Sequence, residues 1–558
     1  MKTQNLSVFG GLKALLICGG LFYLGLWLTK SHDPIILGIG ITLSSLVAIS
    51  SIFVFSSITL ASLKQSRQQR FSNQAHSSSG ILGKARLADE NSSIVRKLSG
   101  NKNGLFIGAY QHLLLFFDPF AKGNAHWIIY ARARSGKTSS IVTPTALQWM
   151  EGSLILPSIK GDTVAITKRV REKKGHRILV WNPFNVLKMD GLKFNPLKIL
   201  VDDIKKTGGE NLQGYALLIA NTMIPTPEKE ENPFFRKGAV RFIAGLMIFL
   251  ASIRPWKCHL PGLNSLVWAS EEERDEIVSL MQANDRIGGL IKKYGNHLFD
   301  LFKPEYTKTF GAMRDYAIEA TMIYDSGTEF GKSLMGNDFD LKSILNEKTT
   351  FFPIIPEEKL VPYGQSIGLI MALMFESVAA QTATSKTLVL LDEAGNFGRI
   401  PNMSKAMTLL PEKGLRIVKA YQSRNQLIEI YGKNEAANIE KQCSGVQEWA
   451  ISDEEAAKRW STRCGSKTIK THNMQYNPAD PLQPWKPSVS ETSLPVLSAY
   501  QVLTMPSDKQ LIAINGEPVI VPNVVPYFEV DEWRSNAALN PYHSKGYPTE
   551  NPIKYKLS

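Results

Sequence analysis

The sequence predicts an α/β fold with a mostly parallel central sheet, an all-helical insertion and two membrane-spanning helices at the N-terminus. Three observations support this. Short runs rich in Val, Ile and Leu, without polar alternation, indicate strands buried on both faces of a parallel sheet. Helical patterns separate these runs as far as Asn182, and from there to about Asp340 only helical patterns occur. Finally, two long apolar runs open the chain.

Composition narrows the class of protein. The 558 residues, 44% of them hydrophobic and 20% charged, indicate a globular chain of two or three domains and exclude collagen-like or wholly disordered classes. The four cysteines form no C-x-x-C pair, which argues against a zinc site or a disulfide framework. A net charge of +14 suits a polyanion such as nucleic acid, or an anionic lipid surface. A charge that only keeps the protein soluble is equally compatible.

Residues 1–63 are predicted to form a transmembrane hairpin, with spans at about 9–28 and 34–60. The first span contains one charged residue and the second contains none. Each is long enough to cross ~30 Å of hydrocarbon at about 1.5 Å per residue. A cleaved signal peptide is the alternative for the first span, but a second, longer apolar run follows it. The positive-inside rule places both termini in the cytoplasm, because basic residues follow the second run at once: Lys64, Arg67 and Arg70.

The rest of the chain divides by composition and pattern. A polar, Ser- and Gln-rich stretch at 64–80 is predicted to be a linker. The α/β domain is predicted in two parts, 81–182 and 341–534, with the all-α insertion at 183–340 between them. Residues 535–558 are predicted to be a loose tail. Within the second part, residues 466–493 are rich in Pro, Asn, Thr and Ser and are predicted to form a long exposed loop.

The individual elements follow from the same patterns. In the insertion, Phe234–Ile253 and Ser270–Asn284 are predicted helices, and the second opens with a capping box. The predicted strands of the α/β domain are Trp127–Ala131, Ser153–Pro157, Arg177–Trp181, Thr349–Ile355, Thr387–Leu391, Leu415–Tyr421 and Val446–Ile451.

A phosphate-binding loop is the strongest chemical signal. The sequence from Ala131 to Thr138 (ARARSGKT) follows an apolar strand and precedes a helical pattern, which is the context that a P-loop needs. Backbone N–H groups at a helix N-terminus bind phosphates, and a lysine reaches the β- and γ-phosphates. The sequence has Ala131 where the motif has its first glycine, and alanine disfavours positive φ. The predicted ATP-binding residues are Ala131, Arg134, Ser135, Gly136, Lys137, Thr138 and Ser139.

The expected partner of a P-loop is also present. The apolar strand from Thr387 to Leu391 ends in the acidic pair Asp392 and Glu393. We predict that Thr138 and Asp392 hold Mg²⁺ and that Glu393 polarises the attacking water as a general base. Because a binding module needs no water activator, the pair favours hydrolysis over binding alone.

Three further residues are candidates for catalysis. Gln422 ends the next predicted strand, where it could sense the γ-phosphate or orient water. Arg416 and Arg424 are candidate arginine fingers for a neighbouring subunit. An ordinary polar residue at a strand end, or a solvent-facing arginine, is the alternative for each.

These residues, in this order, resemble the coupling proteins of type IV secretion and conjugation, the TraG/TraD-like family. The most specific stretch, Leu390–Arg399 (LLDEAGNFGR), is close to the family's L-D-E-x-x-x-x-G-x pattern. Gly414-Leu-Arg416, Gln422 and the segment from Gln426 to Gly432 continue the series as G-L-R, Q and Q-L-x-x-x-Y-G. The departures from the pattern are Ala131, Ser158 before Lys160-Gly-Asp, and Pro411-Glu-Lys413, which lacks an arginine that some relatives carry.

The resemblance implies a hexameric, RecA-like ring that hydrolyses ATP with Mg²⁺ at subunit interfaces. It implies a multi-pass protein of a bacterial inner membrane, with most of its mass in the cytoplasm. The partners it implies are single-stranded DNA with a relaxase, or effector proteins, and the components of a type IV secretion channel. A platform that binds nucleotide and recruits effectors, with little or no turnover, is the alternative from another class.

Overall fold

The computed structural model describes residues 19–31, 33–52, 56, 80–226, 233–380, 386–475, 486–543 and 553–557. These residues divide into two compact units. The first comprises the described parts of Met1–Lys84 and Ser466–Leu494, and the second those of Ala85–Gly465 and Pro495–Ser558. The predicted linker at 64–80 lies outside the described residues except for Gly80.

Strands and helices are numbered along the chain. The strands are β1 Leu105–Tyr110, β2 Leu113–Phe117, β3 His126–Ala131, β4 Ser153–Ile155, β5 Arg177–Trp181, β6 Thr349–Pro353, β7 Thr387–Leu391, β8 Leu415–Tyr421, β9 Cys443–Trp449, β10 Ser466–Gln475, β11 Lys486–Pro495 and β12 Gln510–Ile514. The helices are α1 Gly19–Leu28, α2 Pro34–Ile52, α3 Ser93–Ser99, α4 Thr143–Gln148, α5 Asp162–Lys173, α6 Lys198–Thr207, α7 Leu212–Met223, α8 Phe234–Ile253, α9 Leu260–Val267, α10 Glu271–Gln282, α11 Leu290–Phe302, α12 Thr307–Thr321, α13 Glu329–Ser333, α14 Leu341–Asn346, α15 Leu360–Tyr363, α16 Gln365–Ala379, α17 Met403–Leu409, α18 Arg424–Tyr431, α19 Lys433–Lys441, α20 Glu454–Cys464, α21 Ala499–Leu503 and α22 Asp531–Asn536.

Two apolar helices begin the described part of the first unit. Of the described residues, only α2 forms a helix long and apolar enough to cross a membrane, and α1 is a shorter apolar helix. The N-terminal half of the first predicted span lies outside the described residues. The helices approach closely at glycines, since a Cβ at Gly25 would lie 2.7 Å from Ser44 Oγ and one at Gly40 would lie 2.8 Å from Thr29 N.

The segment predicted as a long exposed loop contains a two-stranded sheet instead, formed by β10 and β11. Segment Leu82–Lys84 pairs with the start of this sheet, because Lys84 forms an antiparallel bridge with Lys467 and Thr468 N donates to Gly83 O at 3.0 Å. The β-branched threonines of β10 and β11 favour extended backbone, and this preference outweighs the turn-forming tendency of the Pro and Asn residues. The loop prediction was therefore wrong for these strands.

The second unit is built on an eight-stranded sheet with the order β12-β9-β3-β8-β7-β4-β6-β5. Every neighbouring pair is parallel except β12 with β9. Strands β3, β7 and β8 are buried along their whole length, as their apolar runs predict. Because the seven predicted strands run parallel, their carboxyl ends meet at one edge, which is where α/β sheets bind ligands.

The helices between β5 and β6 form the insertion. Helix α8 is buried along most of its length and packs at the centre of this region. Helix α10 opens with the predicted capping box, since Ser270 Oγ accepts from Glu273 N and the Glu273 side chain accepts from Ser270 N. Apolar residues of the insertion and of the sheet join one continuous core.

The C-terminal segment, predicted as a loose tail at 535–558, makes backbone contacts where it is described. Tyr555 forms a parallel bridge with Val530, and Ala538 N donates to Ile166 O at 3.1 Å. The described residues of this segment are exposed or half-buried. Trp533, which lies just before the segment, is buried against Phe106 and Phe116.

Candidate nucleotide site

The P-loop leaves the sheet at the carboxyl end of β3. After Ala131, the last residue of the strand, the chain turns through Arg132–Lys137, and Thr138 begins a helical turn that continues as α4. Backbone φ is +60° at Arg134 and +87° at Gly136, and alternation of this kind turns successive N–H groups into a concave anion site. Ala131 lies in extended backbone, so alanine in place of glycine causes no strain there.

Side chains of the loop brace its own backbone. The buried Lys137 donates from Nζ to Ala131 O at 2.8 Å and to Arg132 O at 3.0 Å. Ser135 Oγ donates to Arg132 O at 2.6 Å, and Ser139 Oγ donates to Gly136 O at 3.1 Å. Burial lowers the pKa of Lys137, and Asp392 and Glu393 partly offset that effect. Arg134 is exposed at the crest of the loop.

The first acidic residue after β7 lies against the P-loop. Thr138 Oγ1 donates to Asp392 Oδ2 at 2.5 Å, which joins the two predicted motifs directly. The other carboxylate oxygen, Asp392 Oδ1, is buried and has no hydrogen-bond partner. A buried, unpartnered carboxylate oxygen beside a threonine hydroxyl is the oxygen-donor set that Mg²⁺ prefers, so these residues fit the predicted ion.

Burial raises the pKa of Asp392 to about 6, and the charge of Glu393 adds to the rise while the hydrogen bond from Thr138 opposes it. The folded state therefore favours the protonated form more than the unfolded chain does. The ionised carboxylate destabilises the nucleotide-free fold above pH 6, and this effect vanishes as the pH falls below about 4.

We expect Asp392→Asn to raise the stability of the nucleotide-free, metal-free chain by about 1–3 kcal/mol at pH 7.5, because the amide carries no charge to desolvate. Thermal unfolding in detergent with EDTA, measured from pH 4 to pH 8, checks this. The gain should shrink as the pH falls from 6 to 4. Equal unfolding temperatures for variant and wild type at pH 7.5 would contradict the assigned burial of this carboxylate.

The second acidic residue is held in a strained conformation beside the first. Glu393 has φ +54°, which costs a non-glycine residue about 1–2 kcal/mol. Asn396 Nδ2 donates to Glu393 Oε2 at 2.9 Å and fixes the carboxylate. Gly395 lets the turn pack on Gln426, since a Cβ there would lie 2.2 Å from Gln426 Nε2. Gly395, the second residue after the acidic pair, thus serves close packing next to the carboxylate.

Two more predicted residues reach the same edge of the sheet. Gln422 follows β8 directly, is exposed, and donates its backbone N–H to Gln426 Oε1 at 3.0 Å. Arg424 begins α18 and pairs with Glu440, with Nε at 2.9 Å from Glu440 Oε2. Tyr130 of β3 donates its hydroxyl to the same carboxylate at 2.7 Å. Glu440 therefore ties Arg424 to the P-loop strand.

Arg416 is not brought to this edge. It is the second residue of β8, at the opposite end of the strand, and is 9% exposed. Its guanidinium donates to Pro119 O at 2.6 Å and to Pro411 O at 2.7 Å. Because it is buried and engaged with carbonyls of its own chain, Arg416 cannot serve as an arginine finger for a neighbouring subunit.

Several residues that contact the site were missed from the sequence. Asn396, Gln426 and Glu440 position predicted residues, and Gln426 alone had a signal, as part of the Q-L-x-x-x-Y-G pattern. Trp449 donates from its indole N–H to Ser135 O at 2.9 Å and carried no signal. The predicted strand ran to Ile451, whereas β9 ends at Trp449.

A P-loop after one strand of a parallel sheet, joined to an acidic pair two strands away, defines a RecA-like P-loop NTPase fold. A family model described as "Type IV secretory system Conjugative DNA transfer" matches residues 76–549. The chain belongs to this family, and the predicted membership among type IV coupling proteins is confirmed.

Individual relatives of this chain are also coupling or conjugal transfer proteins. The type IV secretion system-coupling protein VirD4 of Bartonella quintana is 25% identical over 453 residues, which cover 79% of this chain and 68% of the relative. The conjugal transfer protein TraG of Agrobacterium fabrum is 22% identical over 466 residues, which cover 80% and 67%. The chain thus spans about two thirds of the length of these relatives.

The fold matches solved structures of the same kind. The plasmid coupling protein TrwB in complex with ADP and Mg²⁺ has a TM-score of 0.58 at 12% identity, over 79% of this chain and 93% of that one. TrwB in complex with the non-hydrolysable ATP analogue ADPNP gives a TM-score of 0.57 at 13% identity. The predicted fold class is confirmed.

Proposed function

We propose that this protein is a membrane-anchored ATPase that recruits DNA–relaxase complexes, or effector proteins, and drives their transfer through a type IV secretion channel. The observation that carries the proposal is the bond between Thr138 and Asp392, with Asp392 Oδ1 left free in a buried position and Glu393 beside it. This arrangement places a phosphate-binding loop, a cation site and a general base at one edge of a sheet. A module that only binds nucleotide has no use for the general base.

Each residue has a defined role in the proposed reaction. The N–H groups of the P-loop bind the phosphates, and Lys137 exchanges its bonds to Ala131 O and Arg132 O for bonds to phosphate oxygens. Thr138 and Asp392 would hold Mg²⁺, which would neutralise charge on the phosphate oxygens. Glu393, oriented by Asn396, accepts a proton from the attacking water.

The remaining polar residues at the edge act on the γ-phosphate and on the neighbouring subunit. Gln422 is exposed at the end of β8, the strand paired with β7, which ends in the acidic pair, so it can orient water or sense the γ-phosphate. Arg424 is a quarter exposed at its side chain and keeps its pair with Glu440. To act as an arginine finger, Arg424 would have to break its ion pair with Glu440. We therefore propose that Arg424 holds the start of α18, the helix whose Gln426 accepts from the backbone N–H of Gln422.

The proposed assembly is a homo-hexamer in a bacterial inner membrane. An N-terminal anchor holds it there, and helix α2, which is long and apolar enough to cross a membrane, supports this anchor. Relatives named for coupling and conjugal transfer support DNA as the cargo, and the net charge of +14 suits a polyanion. Effector proteins are the second candidate cargo, supported by the secretion system in the relatives' names.

The experiment is phosphate release by the full chain in nanodiscs, with and without single-stranded DNA. We expect ATP turnover that single-stranded DNA stimulates several-fold, with stimulation declining as salt rises. Turnover without any response to DNA would favour effector proteins as cargo. Absence of turnover under all conditions would overturn the ATPase and favour the recruitment platform. Ala131 in place of the motif's glycine is the sequence feature that favours the platform, and its extended backbone, where alanine causes no strain, supports the ATPase instead.

A further inference from the structure

Trp449 links the P-loop to the strand beside it. It is the last residue of β9, is 2% exposed, and pairs in register with Ala131 of β3. Its indole ring packs in the core under the sheet edge, while its Nε1–H donates to Ser135 O at 2.9 Å. The contact therefore joins a rigid core side chain to the crest of the phosphate loop.

The direction of that hydrogen bond has a consequence for the loop. A trans peptide unit is planar, so the carbonyl of Ser135 and the N–H of Gly136 point to opposite sides. When the indole holds the Ser135 carbonyl on the core side, the Gly136 N–H faces away from the core, into the concave side of the loop. Gly136, at φ +87°, could otherwise rotate freely between several orientations.

We propose that Trp449 is a positioning residue for nucleotide binding, which orients the Ser135–Gly136 peptide so that the Gly136 N–H meets a phosphate oxygen. The inference rests on the proposed function and deepens it. Trp449 does not touch the substrate and acts through the loop backbone. A hydrogen bond that is already formed in the empty site lowers the entropy lost when phosphate binds.

The end of β9 is itself held rigid. The preceding residue, Glu448, is buried and accepts from Arg459 at 2.7 Å and from Trp460 Nε1 at 2.5 Å, both on α20. The following residue, Ala450, has φ +53°, a conformation that persists only when its surroundings hold it. Helix α20 thus braces the strand end that carries Trp449.

Trp533 provides a matched control. It is 3% exposed, and its indole N–H donates to Gln148 Oε1 at 3.1 Å rather than to the P-loop. Phenylalanine at either position removes one buried indole and its hydrogen bond. Loss of packing and stability is common to both variants, whereas loss of the bond to Ser135 belongs to Trp449→Phe alone.

The test is MgADP binding by calorimetry and ATP turnover, on the full chain in nanodiscs, with wild type, Trp449→Phe and Trp533→Phe. One lost hydrogen bond predicts a Kd for MgADP and a KM for ATP about 3–10-fold higher in Trp449→Phe, with kcat within about twofold of wild type. Trp533→Phe should also lower the unfolding temperature, yet leave both constants unchanged.

Two results would overturn the positioning role. The first is an unchanged Kd in Trp449→Phe, and the second is an equal loss of affinity in Trp533→Phe, which would mean that general packing is responsible. Wild-type protein that binds no MgADP would overturn the proposed function as well. Binding by wild type together with an unchanged Trp449→Phe would overturn the positioning role alone.

Discussion

Replacing Lys137 by alanine is expected to lower ATP turnover by about 10²–10³-fold, to the background of a phosphate-release assay. The lysine is buried at the base of the loop, with its ammonium bonded to two backbone carbonyls that face the phosphate cradle. Burial lowers the pKa of Lys137, and the charges of Asp392 and Glu393 oppose that effect. Phosphate oxygens would replace those carbonyls with a full opposite charge, and alanine offers nothing in their place.

The control for this variant is a lysine of the same subunit that has no contact with the site. Lys173 is exposed near the end of α5, and Lys173→Ala should keep full turnover. Membrane insertion should be normal in both variants, because the anchor lies in the N-terminal helices. Unchanged turnover in Lys137→Ala would contradict the assignment of the P-loop.

The α/β body follows from the sequence because its strands are buried on both faces. Such strands need uninterrupted apolar runs, and Thr387–Leu391 and Leu415–Tyr421 have the predicted bounds. The P-loop and the acidic pair follow because each comes directly after such a strand. Parallel strands have their carboxyl ends at the same edge of the sheet, so the two motifs are expected to lie close together even though they are far apart in the sequence.

Arg416 shows that a sequence motif does not by itself say at which end of a strand a residue lies. It precedes the carboxyl end of β8 by five residues, which is about 17 Å at ~3.3 Å per residue in a strand. Its place in the G-L-R pattern drew attention to it, yet the strand carries it to the far edge of the sheet, where its guanidinium bonds to Pro119 O and Pro411 O. Counting residues along the strand would have excluded it.

Trp449 could not have been found in that way. Its contact with Ser135 depends on the register between β9 and β3, two strands separated by more than 300 residues of chain. An apolar residue at the end of a buried strand is the usual pattern, so its type carries no signal. Long-range register is set by packing, which the local sequence does not display.

We expect Glu393→Gln to lower ATP turnover by about 10²–10⁴-fold while keeping nucleotide affinity within about threefold of wild type. Glutamine is nearly isosteric and can still accept a hydrogen bond from Asn396 through its amide oxygen. It cannot accept the proton of the attacking water, so only the hydrolytic step is lost. Phosphate release and MgADP calorimetry on the same preparation separate the two effects.

This variant also decides between the motor and the recruitment platform. If the wild-type chain is a platform, its turnover already equals that of Glu393→Gln, and substrate transfer in cells is the same with either. If the chain is a motor, transfer stops in Glu393→Gln although ATP still binds. The strained backbone at Glu393 fits the motor, because conformations that cost about 1–2 kcal/mol cluster at active sites.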